Sequence, residues 1–287
     1  MTQAVLSVRR FTSGVLALSG LLSLGSGGGR AVAADQPRQN PASAAGAARL
    51  EPDAHSLLAG ADEIRNPAGD FAATITLLEY RNKKLADAST VKVYVKQGGE
   101  SGQANNLVRF VAPNREAGKL VLRNGLEVWF YDPASKASIR LSPQARLLGL
   151  ASVSDVMSTS FARSYKAKIT AREVTEDDAK QPRNAVKLRL TAERQDVAYA
   201  HVDYWIDEGT NRPIKAQFFT DEGRLLKSAF FRRYQPVLGR DRPTETVIID
   251  GLDARWITVV RQLDVRSSEV PRNWFQRGNL PHIHWAE

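Results

Sequence analysis

The chain has 287 residues, of which 43% are hydrophobic, so it can build a sizeable core, and its formal net charge is +9. It contains no cysteine, which excludes disulfides, thiolate metal sites, a cysteine nucleophile and a lipid anchor on an N-terminal cysteine. The basic residues are spread along the sequence and not grouped in a stripe or block, so nucleic acid is not an expected partner.

The N-terminus has the three parts of a secretory signal peptide. Arg9 and Arg10 form a positive region, residues 15–24 form an apolar run, and residues 31–33 are the small residues that a signal peptidase reads. That apolar run is too short to span a hydrocarbon core about 30 Å thick. We therefore predict a periplasmic protein that is soluble after cleavage, with a signal peptide at 1–34 and a flexible leader at 35–52.

Residues 53–287 are predicted to form a single domain that begins with a short helix. Asp53 can cap this helix, and Pro67 ends it because proline breaks helices. The residues that share its apolar spacing are Leu57, Leu58, Ala61 and Ile64.

From Phe71 onward the apolar period changes to two, which is typical of β-strands. The pair Asn124 and Gly125 lies between apolar runs and predicts a hairpin, since both turn residues must tolerate positive φ. Such regular spacing favours a large antiparallel sheet that curls, or a barrel. The predicted strands lie at 70–80, 90–96, 107–112, 119–123, 127–131, 138–141, 167–174, 185–192, 201–206, 214–220, 225–234, 244–249 and 255–263.

Two other segments interrupt the strand pattern. Residues 142–165 are predicted to be a helical insertion, because Ser152 and Asp155 match a capping box and several leucines and valines fall on one stripe. Residues 270–280 are predicted to contain a short helix whose Trp274, Phe275 and Leu280 pack inward.

No catalytic or metal-binding pattern is visible. His282 and His284 have a spacing that could hold a metal, but the sequence shows no third ligand nearby. The G-x-S-x-G, H-E-x-x-H, Walker and G-x-G-x-x-G motifs are all absent. Acidic pairs such as Asp62 and Glu63 are expected to be solvated. We therefore expect no catalytic residue, metal or cofactor, and a hydrolase with dispersed catalytic residues is the least favoured interpretation.

Adjacent aromatic residues occur on four predicted strands, at 129–131, 204–205, 218–219 and 230–231. Neighbouring residues of a strand point to opposite faces, so these strands carry apolar bulk on both sides. A sheet with one solvated face is expected to be polar there. Helices, a second sheet or a bound apolar ligand must therefore cover the second face, and composition leaves these alternatives open.

The order of several short motifs resembles a known family. Residues 108–113, 118–122, 127–133 and 139–142 are similar to the outer-membrane lipoprotein-sorting proteins, the exported relatives of the LolA carrier. The matching residues are Pro113, Gly118, Trp129, Tyr131, Pro133 and Arg140. Segments at 204–207, 212–215 and 218–223 and Tyr234 fit too, so the resemblance covers about residues 57 to 280.

The resemblance implies a mainly β fold with some α: a large curved antiparallel sheet forming an incomplete, or half, β-barrel of the LolA and LppX type, closed by helices. It implies a non-catalytic periplasmic carrier that holds the acyl chains of a lipid or lipoprotein on the concave face and moves it between membranes. The implied partners are that lipid or acylated lipoprotein, a membrane surface in transient contact, and an exporter of the RND/MmpL type. The basic residue that fixes the lid in LolA has no match in this sequence.

An alternative of the same fold is a periplasmic sensor or regulatory module that binds a protein partner. For the carrier, strand register and the insertion predict a hydrophobic lining. Its residues are Phe110, Leu120, Leu122, Val128, Phe130, Met157, Phe218 and Phe230. A register error of one residue would move a side chain to the other face of the sheet.

Overall fold

The computed structural model describes residues 53–99, 101–194 and 197–285. The predicted signal peptide at 1–34 and leader at 35–52 lie outside the described residues. The described part contains two α-helices, α1 (Ala54–Arg65) and α2 (Val153–Val156), and two 3₁₀ helices, η1 (Arg272–Phe275) and η2 (Arg277–His282). Its strands are β1 (Phe71–Arg81), β2 (Lys84–Lys96), β3 (Asn105–Ala112), β4 (Leu120–Asn124), β5 (Glu127–Asp132), β6 (Ala137–Leu141), β7 (Arg146–Leu148), β8 (Ala151–Ser152), β9 (Tyr165–Glu176), β10 (Pro182–Ala192), β11 (His201–Asp207), β12 (Pro213–Phe219), β13 (Leu225–Val237), β14 (Arg240–Asp250) and β15 (Trp256–Ser267).

The thirteen predicted strands are all present and form one antiparallel sheet in the order β6-β5-β4-β3-β2-β1-β15-β14-β13-β12-β11-β10-β9. Consecutive strands pair within β1–β6 and within β9–β15, and β1 pairs with β15 to join these two parts. A twisted sheet of this many strands curls. The sheet is curved but does not close into a barrel, because β6 and β9 are its two ends. This confirms the predicted half-barrel fold class.

One hydrophobic core occupies one face of this sheet. It contains side chains from strands far apart in the sheet, such as Val121 on β4 and Leu188 on β10, together with Leu58 of α1 and Val153 of α2. Because distant strands contribute to one cluster, the sheet is curved around it. We call this the concave face and its opposite the convex face.

Helix α1 packs on the concave face. The Asp53 carboxylate accepts a hydrogen bond of 2.8 Å from the Ser56 amide and caps its start. Leu57, Leu58 and Ala61 are buried in the core, as their spacing predicted. Asp62 is also buried, so the prediction that this acid is solvated is wrong.

The predicted helical insertion is mostly not helical. Residues 142–164, which we call the cover segment, contain the β7–β8 hairpin and only one turn of helix, α2. The capping box of Ser152 and Asp155 forms as predicted. However, Gly149 turns the chain at φ +53°, and the serines and threonine at 158–160 follow α2 at once. Such residues compete with a helix for backbone hydrogen bonds.

The C-terminal tail covers part of the convex face. Phe275 and Leu280 are buried against Leu107, Leu120 and Leu122 of β3 and β4. The predicted short helix is present as the two 3₁₀ helices η1 and η2, which are interrupted by Pro281 and flanked by Pro271. The tail therefore supplies the second apolar cover that the aromatic strand at 129–131 requires.

Candidate functional site

The concave face contains two hollows that the protein's own side chains leave unfilled. The smaller, of about 110 Å³, lies under residues 154–161 of the cover segment. Its walls on β1, β2, β12 and β13 are apolar and include Ala73, Ile75, Val93, Phe218 and Phe231, whereas the cover segment contributes Met157 together with polar residues such as Asp155, Ser158 and Ser160. Arg65 and Arg123 add two cationic groups to its lining.

The larger hollow, of about 410 Å³, lies near the β6 edge of the sheet. Its apolar walls come from β3, β4, β5, β6 and the β7 end of the cover segment, and they include Phe110, Val121, Phe130, Ile139, Leu141 and Leu147. Arg115 and Arg146 lie at its rim. This volume falls in the range of small-molecule sites, which is roughly 300–1,000 Å³.

The sizes decide what each hollow can hold without rearrangement. An apolar cavity of about 150 Å³ accommodates one benzene molecule. The hollow of 110 Å³ is smaller than that, so it accepts only a short part of an acyl chain while the cover segment stays in place. A long chain on this part of the concave face requires the cover segment to move.

Polar side chains hold residues 157–164 of the cover segment on α1 and β3. The Asp62 carboxylate accepts hydrogen bonds from the Ser160 hydroxyl and the Ala162 amide, both at 2.8 Å, and from Arg65 at 2.9 Å. Arg65 also donates to the Thr159 carbonyl at 2.9 Å. The carboxylate of Asp62 is thus buried but fully partnered, as a buried charge must be.

Three amide side chains complete this attachment. Asn66 donates to the Thr159 carbonyl at 3.0 Å. Asn106 accepts from the Ser158 amide at 2.8 Å, and Gln103 accepts from the Ser160 amide at 2.8 Å. These bonds link residues distant in sequence, and hydrogen bonds can exchange with water when the segment moves.

A buried ion pair holds α2 in the same way. The Lys227 ammonium on β13 pairs with the Asp155 carboxylate and donates to the Leu150 carbonyl at 3.2 Å. It also lies 4.9 Å and 5.4 Å from the ring centres of Tyr199 and Phe218. Burial lowers the pKa of Lys227, and the nearby Asp155 carboxylate opposes that change.

Comparison with known proteins identifies the family and the fold. The model of a family described as an uncharacterised protein matches residues 102–282, which is more than half of the chain. The chain belongs to this family. Among solved structures, a LolA superfamily protein from Nitrosomonas europaea is 27% identical, with a TM-score of 0.71. That match covers 79% of this chain and 98% of the other.

Two further structures share the LolA-like fold. A putative outer membrane lipoprotein-sorting protein domain from Vibrio parahaemolyticus is 18% identical, covers 80% of this chain and 98% of its own, and has a TM-score of 0.64. A DUF1329 family protein from Desulfovibrio piger is 20% identical, covers 79% and 97%, and has a TM-score of 0.66. Comparison with curated proteins finds no match. The predicted resemblance to the lipoprotein-sorting family is confirmed at the level of fold.

Within this LolA-like fold, the predicted lining residues fall on both faces. Phe110, Val128, Phe130, Met157 and Phe218 belong to the concave core. Met157 and Phe218 line the smaller hollow, and Phe110 and Phe130 line the larger one. Whether these five contact a ligand stays a prediction.

The other three predicted lining residues point away from the concave face. Leu120 and Leu122 pack under the C-terminal tail, because Val121 between them is the concave residue of β4. Phe230 pairs with Lys215 on the convex face, and its neighbour Phe231 is the one that enters the concave core. Both faces of β4 and β13 carry apolar side chains at these positions, so hydrophobicity did not distinguish the concave side of the strand from the convex side.

Lys227 and Asp62 are two of the site residues that sequence reasoning missed. Lys227 alternates with Ala229 and Phe231 on the concave side of β13. A lysine in a series of inward-facing apolar residues was therefore the signal that could have identified this site. Asp62 lies on the apolar side of α1 beside Leu58 and Ala61, which was the corresponding signal in the helix.

Neither a metal site nor a membrane-crossing helix is found within the described ranges. No cluster of three or more His, Asp or Glu side chains there is arranged to bind an ion. His282 and His284 are both exposed in the tail. No helix among the described residues is long and apolar enough to cross a bilayer.

Proposed function

We propose that this protein is a periplasmic carrier that binds the acyl chains of a lipid or lipoprotein on its concave face and moves that cargo between membranes without catalysis. The observation that carries the proposal is a pair of hollows with apolar walls on the concave face, next to a cover segment that hydrogen bonds and one ion pair hold in place. The LolA-like fold supports it, since one structure of similar fold is that of a putative outer membrane lipoprotein-sorting protein domain.

The energetics favour such a role. Each methylene group transferred out of water contributes about 0.8 kcal/mol, so a chain of about sixteen carbons costs on the order of 12 kcal/mol when exposed. An apolar concave face removes that cost without any chemical step. The hollow of 110 Å³ is too small for the whole chain, so loading includes displacement of the cover segment.

The larger hollow provides a route for this displacement. It adjoins the β7 end of the cover segment through Ala145, Leu147 and Leu148. A chain that enters there and continues under α2 would follow the concave face from β5 towards β13. An exporter of the RND/MmpL type is the donor that we propose for the cargo, and transient contact with a membrane surface is the proposed route of delivery.

Binding of a dansyl-labelled fatty acid tests the proposal. Ala73→Leu places extra carbons in the smaller hollow, because Ala73 is buried in its wall. If these displace two methylene groups of the ligand, affinity falls by about tenfold to twentyfold. Thr74→Leu is the matched control, since the next residue of β1 points to the convex face and its substitution leaves affinity unchanged.

Native mass spectrometry of protein purified from a bacterial envelope gives a second measurement. We expect a co-purifying lipid or acylated peptide whose mass is lost on delipidation. Protein that carries no lipid and takes up no labelled fatty acid, while thermal unfolding shows it to be folded, would contradict the carrier proposal. Equal loss of affinity in the two leucine variants would place the ligand elsewhere.

A further inference from the structure

The convex face carries a continuous row of residues across eight paired strands. Strand register places one residue of each strand side by side, and we call this set the convex row. From β1 to β9 its members are Leu78, Val259, Val247, Phe230, Lys215, Trp205, Lys187 and Ala171.

The convex row is divided into an apolar half and a basic half. The four residues on β1, β15, β14 and β13 are apolar, whereas Lys215 and Lys187 flank Trp205 on the next three strands. The adjacent row is apolar on β1, β15 and β14 and basic on β10 and β9, with two neutral polar residues and one acid between them. From β1 to β9 it contains Tyr80, Ile257, Ile249, Ser228, Gln217, Asp203, Arg189 and Lys168.

The apolar half has no cover among the described residues. Helix α1 packs on the concave core, and the C-terminal 3₁₀ helix η1 packs on β3 and β4. The apolar side chains of the two rows are therefore partly open to solvent, and Leu85, which pairs with Tyr80, is 56% exposed. A sheet face in contact with water is expected to be polar, so this apolar surface indicates a binding surface.

The basic half has an excess of cations. Lys166, Lys168, Lys187, Arg189 and Lys215 lie on β9, β10 and β12 around Trp205. Asp203 is the shared partner of Lys187 and Arg189, at 3.0 Å and 2.6 Å. Lys166 and Lys168 are exposed, and within the described ranges neither is paired with a carboxylate.

The central tryptophan is covered by the basic side chains around it, since Trp205 is only 4% exposed and packs with Ala185 and Ile214. The ammonium groups of Lys187 and Lys215 lie 4.7 Å and 4.4 Å from the ring centre of Trp205, and its indole N–H donates to Glu173. Trp205 therefore positions these two ammonium groups, and each lysine beside an anionic surface adds to binding.

From this arrangement we infer that the convex rows are a docking surface for an anionic phospholipid bilayer. The apolar half contacts the acyl boundary, and the basic half contacts the lipid phosphates. This surface lies on the opposite side of the sheet from the two hollows, so the inference does not depend on the cargo proposed above.

Flotation with vesicles tests the inference on the secreted chain. We expect binding to phosphatidylcholine vesicles that contain phosphatidylglycerol, and loss of binding to pure phosphatidylcholine or in high salt. Because each lysine near an anionic surface contributes about fivefold, Lys166→Glu with Lys168→Glu weakens binding by at least about twenty-five-fold. Phe230→Ser weakens it as well, by removing apolar contact.

A matched control is Lys136→Glu with Lys180→Glu, which reverses two exposed lysines in the β5–β6 and β9–β10 turns. It retains most of the vesicle binding, and fatty-acid uptake is unchanged in both double variants. The inference would be overturned if the two double variants lost vesicle binding equally, or if the protein bound neutral and anionic vesicles equally. It would also be overturned if sedimentation showed a stable dimer that buries the convex rows and does not bind vesicles. Circular dichroism and thermal unfolding confirm that each variant is folded.

Discussion

Removal of the Asp62 carboxylate is expected to loosen the cover segment. Asp62 accepts hydrogen bonds from the Ser160 hydroxyl and the Ala162 amide, and both donors belong to that segment. In Asp62→Ala these two donors lose their partner, and Arg65 loses its carboxylate. Arg65 keeps its hydrogen bond to the Thr159 carbonyl, but its buried guanidinium is left without its counter-charge.

The size of the effect follows from the charge of the acceptor. Hydrogen bonds to a charged group contribute about 1.5–3 kcal/mol each, so the loss of two costs at least about 3 kcal/mol of the local opening free energy. This raises the opening equilibrium of residues 157–164 on the order of a hundredfold. If loading requires this opening, uptake of a labelled fatty acid becomes faster by up to the same factor.

Amide hydrogen exchange, resolved by peptide, measures the opening directly. Exchange in residues 157–164 accelerates in Asp62→Ala, whereas exchange in β11 changes much less. Asp53→Ala is the control, because it removes an exposed carboxylate from the same helix without touching the cover segment. The reasoning is refuted if the two variants accelerate exchange equally, or if β11 accelerates as much as residues 157–164.

Three further predictions concern the same region and the core. The side-chain oxygens of Asn66 and Ser158 are 2.9 Å apart, so Asn66→Cys with Ser158→Cys is expected to form a disulfide that holds the cover segment closed. This disulfide blocks fatty-acid uptake until it is reduced. The natural sequence contains no cysteine that could compete for the pairing. Tyr204→Phe stabilises the protein by about 1 kcal/mol in urea unfolding, since the buried Tyr204 hydroxyl finds no partner among the described residues. Tyr165→Phe has the opposite effect. It destabilises the protein by about 1 kcal/mol, because the Tyr165 hydroxyl donates a 3.0 Å hydrogen bond to the Tyr199 carbonyl. Burial raises the pKa of Tyr165 and Tyr204 above the usual 10.0. The stability that these neutral phenols contribute is therefore complete below pH 10 and is lost as the pH rises above it. Urea midpoints measured on both sides of pH 10 show a smaller loss of stability in Tyr204→Phe than in the unmodified protein.

Local sequence patterns were sufficient for the thirteen strands of the main sheet, but not for the β7–β8 hairpin or for which face of a strand is inward. Strict alternation, as at Val91, Val93 and Val95, gives both a strand and its buried side. On β4 the consecutive residues Leu120, Val121 and Leu122 are all apolar, because the concave core and the C-terminal tail bury opposite sides of the same strand. No local pattern distinguishes these sides, so two leucines were assigned to the wrong face.

Long-range contacts explain the other differences. Asp62 is buried because Ser160 and Ala162, 98 and 100 residues away in sequence, provide its hydrogen bonds. The cover segment is held by side chains of α1, β3 and β13, and these override the helical spacing of its leucines. The half-barrel itself was predicted mainly from the family resemblance, since alternation alone left a closed barrel possible.

The pairing of β1 with β15 has a consequence for how the chain becomes folded. Phe71 lies beside Ser267, so the strand that begins the sheet and the strand that completes it meet in its centre. Contacts so distant in sequence form slowly, and the two arms of the sheet cannot join until almost the entire polypeptide has emerged. Shortening the chain before Trp256 would therefore leave two separate small sheets with newly unpaired edges.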